Sequence, residues 1–458
     1  MKTCDQFDSL SPIDYRYEDE EVVKHLSENG FTRHKLLVEL ALVKALHRRG
    51  ICSEIAVQEV KTACSQVTTE EVYEEEERIR HDIRALVNCV RAKVSENTKP
   101  YVHMTATSYD IIDTANAARY GSVILDVLVP SLIKLEEALI IIVLREAETV
   151  QIGRTHGQHA VPITFGFALA GYVSRLGGSI EVLKVLAAEL PGKFSGAVGA
   201  YNASSLFFDD PEGFEAEVLA ELGLTPAEHS TQIVPPEALM RLFCEITITA
   251  GILANLSRDM RNLQRTEIGE VGEEFEAAQV GSSTMPQKRN PINFENAESC
   301  WKIVVPRIVT VFMDQISEHQ RDLTNSASAR TYGEVIAYVV FMTKRLTRTM
   351  KKLTVNRANL ERNLAIQKGL VVAEPLYIIL AAQGHPDAHE KVRTLTLTAQ
   401  EHDISLQAVI DNDSEMRTYV RMMTPRQRRI LSNSSLYTGI AAKKAKAIAE
   451  KWKQKFGL

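Results

Sequence analysis

The 458-residue chain has no long block of lysine and arginine, no C-x-x-C pair, no unbroken apolar run of membrane length and no series of alternating, strand-like segments. Each absence excludes something. Without a basic block, and with a formal net charge of −6, the chain is not built for a general grip on nucleic acid; an anionic small molecule would need a local basic pocket. The start, Met1-Lys2-Thr3-Cys4-Asp5, lacks the basic residues and apolar run of a secretory signal, so export is not expected. The most apolar stretch, Val127 to Leu144, is interrupted by Pro130, Lys134, Glu136 and Glu137, and reads as a buried helix rather than a membrane span. Cys4, Cys52, Cys64, Cys89, Cys244 and Cys300 are widely scattered, which predicts reduced, structural thiols in a cytoplasmic protein. No internal repeat, low-complexity segment or disordered tail stands out.

What remains is ordinary in composition, 45% hydrophobic and 24% charged, and helical in pattern. After Pro235-Pro236, apolar or small residues recur at Leu239, Leu242, Ile246, Thr249, Leu253, Leu256, Met260 and Leu263, spaced alternately by three and four. That seam predicts a helix reaching to about Ile268, roughly 50 Å long, which must bury its stripe against long neighbours. Candidate neighbours are Asp113 to Val150 with a kink at Pro130, Pro162 to Leu190, Pro291 to Ser317 with a kink at Pro306, and Tyr332 to Leu353. The fold class is therefore all-α, with a central bundle over 112–363 between shorter-helix regions at 1–111 and 364–458. The pattern Thr68-x-x-Glu71 opens an acidic helix as a capping box. Its run Glu74 to Glu77 is a solvated face, and its continuation, His81-Asp82, sets a carboxylate beside an imidazole.

Four polar clusters carry the chemistry. The first is the loop Gly281-Ser282-Ser283-Thr284-Met285-Pro286-Gln287-Lys288-Arg289-Asn290-Pro291, whose glycine, prolines and hydroxyls interrupt helix-like sequence. The second, Gly153 to Pro162, holds His156 and His159 just before a helix. A His-x-x-His pair is a possible metal ligand set, but zinc needs about three or four protein ligands and nothing nearby completes one, so no metal is expected. For His159 a hydrogen-bonded structural role is the expectation; for His156, acid/base work, because imidazole titrates near neutral pH. The third, Thr105 to Asp110, follows His103 and leads into the helix starting near Asp113; it is an N-cap, or a receiver for a carboxylate. The fourth, Arg321 to Arg330, suits carboxylate or phosphate, with solvated surface as the alternative.

Taken together and in order, these clusters resemble the fumarase/aspartase superfamily, and within it the adenylosuccinate lyase family. The resemblance covers essentially the whole chain. Its signature Gly-Ser-Ser-x-Met-Pro-x-Lys-x-Asn-Pro is matched at 281–291, and narrower support comes from Ser11 to Tyr17, Arg80-His81-Asp82, Gly153 to Pro162, Ser230 to Ile233 and Arg321 to Arg330. The match departs at Gln287, at Asn325, where histidine is frequent, at Ala329, and at Pro235-Pro236-Glu237.

The resemblance implies a β-elimination in which a C–N bond of a succinyl-amine breaks and fumarate leaves. It implies Ser282 as general base, with Lys288 and Asn290 holding the developing charge, and His156 as the acid for the departing nitrogen, oriented by Glu295. His81 and its neighbour Asp82 would lie near the phosphate or the reacting centre. Thr107, Ser108, Gln232 and Ser283 would receive the succinyl group, and Arg16, Tyr17, Arg321, Ser326 and Arg330 the phosphate and remaining polar groups. No cofactor is implied. The implied substrates are adenylosuccinate and the succinyl-carboxamide ribotide of purine synthesis, handled by a cytoplasmic homotetramer whose sites draw on three subunits. The other readings are a different fumarate-releasing or cycloisomerase member of the superfamily, and a catalytically silent helical oligomer.

Overall fold

Apolar residues spaced by three and four become long helices: Ser108–Val123 and Val129–Arg145, then Phe165–Ala188, Glu237–Leu263, Ile292–Met313 and Tyr332–Lys351. They belong to a computed structural model that describes residues 5–10, 13, 15–274 and 284–458. The fold is all-α; the strands among the described residues form only two-stranded ladders. In Glu237–Leu263 the expected seam is real: Leu242, Ile246, Thr249, Leu253, Leu256 and Met260 are all buried. The helix stops at Leu263 rather than near Ile268, which makes it about 40 Å long. It is long and apolar enough by composition to cross a membrane, yet its stripe is packed inside the protein, as in a core helix.

Three local details differ from the sequence expectations. The helix expected near Asp113 begins at Ser108, because Asp110 accepts the Thr107 N–H at 2.8 Å and so caps the turn five residues early. Where the sequence predicts one kinked helix around Pro130, a π-helical turn, Ile124–Leu128, separates Ser108–Val123 from Val129–Arg145. The stretch Gly153 to Pro162 is a β-hairpin rather than a loop before a helix. Strand β1, Val150–Thr155, pairs antiparallel with β2, Gln158–Thr164, and the next helix starts at Phe165 instead of Pro162. The capping box at Thr68 and Glu71 forms in both directions, at 3.0 and 3.2 Å. Cys52, Cys64, Cys89, Cys244 and Cys300 are free thiols.

The chain divides into two compact units. The first comprises Met1–Ile133, Gly178–Ala254 and Asn296–Arg345. Its apolar core gathers residues such as Leu42, Leu46, Leu86 and Ile111 with Phe194 and Phe214. Tyr120 meets Phe243 edge-to-face at a centroid distance of 5.9 Å and Phe243 meets Tyr332 at a tilt at 5.1 Å, joining three long helices, and Arg307 pairs with Glu334 at 2.7 Å to add a fourth. The second unit comprises Lys134–Gly177, Asn255–Glu295 and Leu346–Leu458. Here Leu376, Leu380, Leu406, Ile410 and Met416 form a separate core with Ile152 of the hairpin. Tyr172 donates to Asp259, tying Phe165–Ala188 to Glu237–Leu263. At Gly177 the C-terminal helix, Ala441–Phe456, comes so near that a Cβ would lie 2.5 Å from the Trp452 ring.

Candidate active site

In the first unit the helix start at Ser108 organises a polar cluster. Asp110 is fully buried and ion-paired with the equally buried Lys193, and it also accepts the Gly196 N–H at 3.2 Å. Burial raises the Asp110 pKa, against the pull of the Lys193 ammonium and the two N–H donors. This pair fixes Thr107 and Ser108 relative to the loop after Lys193, where Ser195 and Ser230 share a 2.6 Å hydroxyl contact. One turn along the helix, Asp113 accepts the Val234 N–H at 2.9 Å, and the Gln232 N–H donates to the Gln320 carbonyl at 3.2 Å. Arg321 follows directly. Its guanidinium lies 4.1 Å over the Tyr109 ring, donates to the Tyr109 hydroxyl, and reaches Asn325 Oδ1 at 3.2 Å. The structure therefore brings Thr107, Ser108, Gln232 and Arg321 together.

Arg321 is held by neutral groups. Its Nε is buried without a hydrogen-bond partner, and no carboxylate lies within ion-pair distance among the described residues. A guanidinium placed this way keeps its charge for an incoming anion. Tyr109 and Asp113 were not among the expected site residues. Their spacing of four on one helix face, beside Ser108, is the signal that would have found them. Burial lifts the Asp113 pKa to about 6, with the Val234 N–H opposing it. Asn325, one of the departures from the family pattern, is the residue that receives Arg321.

His81 follows a residue with left-handed backbone, Arg80 at φ 58, and caps the helix Asp82–Ala92 through Nδ1, which accepts the Arg84 N–H at 3.2 Å. An accepting Nδ1 puts the proton of the neutral ring on Nε2. The exposed ring therefore offers Nε2–H to solvent, with Asp82 Oδ1 3.6 Å from Nδ1. Tyr17 packs on Tyr338 and Phe341, and its hydroxyl accepts from Asn296 at 3.3 Å. Arg16 and Ser326 are exposed, and Arg330 pairs with Glu28 at 3.0 Å. Among the described residues, Ser326 and Arg330 make no hydrogen bond or ion pair to Arg321, Tyr109 or the Asn325 side chain. His103, in left-handed backbone at φ 66, meets the fully buried Glu39 at 2.6 Å; burial opposes its charge, but the carboxylate raises its pKa.

In the second unit His156 occupies the tip of the hairpin. His156 and Gly157 have φ of 53 and 74, the two left-handed residues of a type I′ turn. The turn presents the His156 ring to solvent. The hairpin base is fixed by Glu270, fully buried, which accepts from Arg154 at 2.6 Å, Gln151 at 2.7 Å and Asn363 at 2.8 Å. Across the ladder from Arg154, His159 is not the satisfied histidine expected: its Nδ1 is buried without a partner. Burial and then the Arg154 charge lower its pKa, against the pull of Glu270.

Lys288 is exposed and closes a turn on the Met285 carbonyl at 3.0 Å, with Pro286 at the second position. Asn290 is half-buried at the foot of the Ile292–Met313 helix, and Glu295 is exposed in its first turn. His156 and Glu295 make no hydrogen bond to one another among the described residues. Ser282 and Ser283 lie outside the described residues.

A lyase family model matches residues 5–305, and a model of the adenylosuccinate lyase C-terminal region matches 317–428. The chain is 36% identical to the adenylosuccinate lyase of Pyrococcus abyssi over 418 residues, covering 90% of this chain and 92% of that one. It is 34% identical to the adenylosuccinate lyase of Methanocaldococcus jannaschii over 443 residues, 94% of each chain. Among solved structures, the 3-carboxy-cis,cis-muconate lactonizing enzyme of Pseudomonas putida superposes with a TM-score of 0.84 at 26% identity, covering 99% of this chain and 100% of that one. A fumarate lyase from Mesorhizobium shares the fold, with a TM-score of 0.83 at 23% identity over 96% and 100% of the two chains. Matched from its first helices to its C-terminal region, the chain belongs to the adenylosuccinate lyase family of the fumarase/aspartase superfamily.

Proposed function

We propose that the chain is a carbon–nitrogen lyase that eliminates fumarate from adenylosuccinate, giving AMP, and from the succinyl-carboxamide ribotide of purine synthesis. The observation that carries this reading is similarity to adenylosuccinate lyases over nine-tenths of the chain, together with intact residues at every proton-moving position. Ser282 takes the proton from the carbon beside the carboxylate. The developing dianion is held by Lys288, Asn290 and Ser283, where fixed donors act without reorganising. The C–N bond then breaks, its electron pair stays on nitrogen, and His156 supplies the proton, with Glu295 orienting the ring. Thr107, Ser108 and Gln232 receive the succinyl carboxylates. Arg321, whose hydrogen-bond partners Tyr109 and Asn325 are neutral, receives an anionic group of the nucleotide together with Arg16, Tyr17, Ser326 and Arg330, while His81 and Asp82 stand near the phosphate.

The same reading makes the protein a cytoplasmic homotetramer with sites completed by three subunits, and its three regions, 1–111, 112–363 and 364–458, the domains of that assembly. The exposed faces of His156 and Glu295 fit groups that meet partners from other copies. The test is a steady-state assay following loss of adenylosuccinate absorbance in the wild type and in His156→Ala and Ser282→Ala. Turnover that collapses in both folded variants supports the reading. No turnover of either purine substrate, or full activity in both variants, overturns it. Turnover of a carboxymuconate instead would favour the cycloisomerase reading, which the lactonizing-enzyme superposition keeps in view.

A further inference from the structure

The helix Ile292–Met313 begins without a local cap. The residue before it is Pro291, whose side chain carries no acceptor for the first N–H groups of the helix. Its first donors are nevertheless all accounted for. The Ile292 N–H reaches the Asn290 carbonyl at 2.9 Å and the Glu295 N–H the Pro291 carbonyl at 3.0 Å. The two between them, Asn293 and Phe294, donate to Glu273 Oε1, each at 3.0 Å. The Asn293 side-chain amide adds a 2.7 Å bond to Oε2. Glu273 is buried, and its carboxylate sits where the orphan N–H groups and the helix dipole favour a negative charge. Its own N–H donates to Gln264 Oε1 at 3.1 Å, and Gln264 Nε2 donates to the Arg289 carbonyl at 3.3 Å. Gln264 thus grips the C-terminal stem of the 281–291 signature at Arg289, and Glu273 grips the first turn of the helix that follows it.

We propose that Glu273 is a positioning residue for the elimination: its carboxylate clamps the start of the Ile292–Met313 helix and so sets where Lys288, Asn290 and Glu295 stand. The inference rests on the lyase reading. Nothing in the Glu273 side chain need touch substrate. It acts through the backbone of Asn293 and Phe294, immediately before Glu295. Both carboxylate oxygens accept, so a glutamine cannot replace it: one acceptor would become an NH2 group facing N–H donors. An aspartate keeps the charge but withdraws it by about 1.5 Å.

The test compares wild type, Glu273→Gln and Glu273→Asp by steady-state kinetics on adenylosuccinate and by hydrogen exchange of the 288–298 segment. Misplacement of reacting groups predicts that E273Q lowers kcat by about 10- to 100-fold while KM moves by no more than about threefold. Exchange should quicken at the Asn293 and Phe294 amides, and E273D should recover part of kcat. Should E273Q fold poorly, Asn293→Ala removes only the 2.7 Å side-chain bond and is expected to lower kcat in the same direction by less. A kcat unchanged in folded E273Q or N293A overturns the proposal, as does a loss of activity matched by faster exchange throughout the chain. If the wild type turns over neither purine substrate, the lyase reading fails. Exchange at Asn293 and Phe294 in E273Q then still decides whether the clamp exists.

Discussion

Replacing Lys193 with methionine should destabilise the protein in a pH-dependent way. The substitution keeps most of the side-chain volume and removes only the ammonium that faces Asp110, both side chains being fully buried. Breaking a buried pair by deleting one partner costs about 3–5 kcal/mol, because the remaining charge stays out of water. With an unfolding entropy of about 2.1 cal/mol/K per residue, that loss lowers Tm by about 3–5 °C if the chain melts as one cooperative unit. The sign with pH follows from the raised Asp110 pKa. Without Lys193 the pKa rises further, so the folded state holds a proton that the unfolded state releases above its ordinary value of 3.8. Stability from that proton is present at low pH and is lost as pH rises through the folded pKa. Differential scanning calorimetry at pH 5 and pH 8 should therefore show the larger deficit for K193M at pH 8. A deficit that is absent, or equal at both pH values, would show that Asp110 is not held as the structure describes.

Two further perturbations test the site directly. Gly157→Val places a β-branched residue at φ 74, where an added Cβ meets nothing within 4 Å, so its effect is conformational; it should cost about 1–3 kcal/mol in thermal unfolding and depress kcat through His156. An unchanged Tm and kcat would separate His156 from its turn. Asp113→Asn should flatten the pH dependence of stability between 3.8 and about 6, because the protonated-state contribution of Asp113 is present below 3.8 and lost as pH rises through 6. A slope identical to wild type across that window would refute the raised pKa.

The long helices and the Thr68 capping box were legible because both depend on residues within a turn or two of one another. The seam at Leu242, Ile246 and Leu253 needed only its own periodicity to be read. The hairpin was missed for the opposite reason. Strand β1 contains Gln151, Gly153 and Arg154, which have little strand preference of their own, and its stability comes from Glu270 and from Ile152 in a distant core. At the site, the clusters around His156, Lys288 and Arg321 were visible as loop chemistry. Their partners were not: Lys193 lies 83 residues from Asp110, His103 64 from Glu39, and Arg321 212 from Tyr109. Caps such as Glu273, supplied through space to a helix with no capping sequence, leave no trace in the local pattern.

The left-handed turn at the tip of the hairpin also constrains heredity. A residue at position 156 must tolerate φ near 53, which glycine, asparagine, aspartate and histidine do readily and β-branched residues do not. Most single-codon drift at this position therefore meets a conformational filter before selection on chemistry begins. Pooled variants sorted first for soluble protein and then for turnover should shrink in two steps, the first depleting the β-branched residues that strain the turn, the second leaving histidine. The two steps would measure apart what the backbone demands and what the reaction demands of a single position.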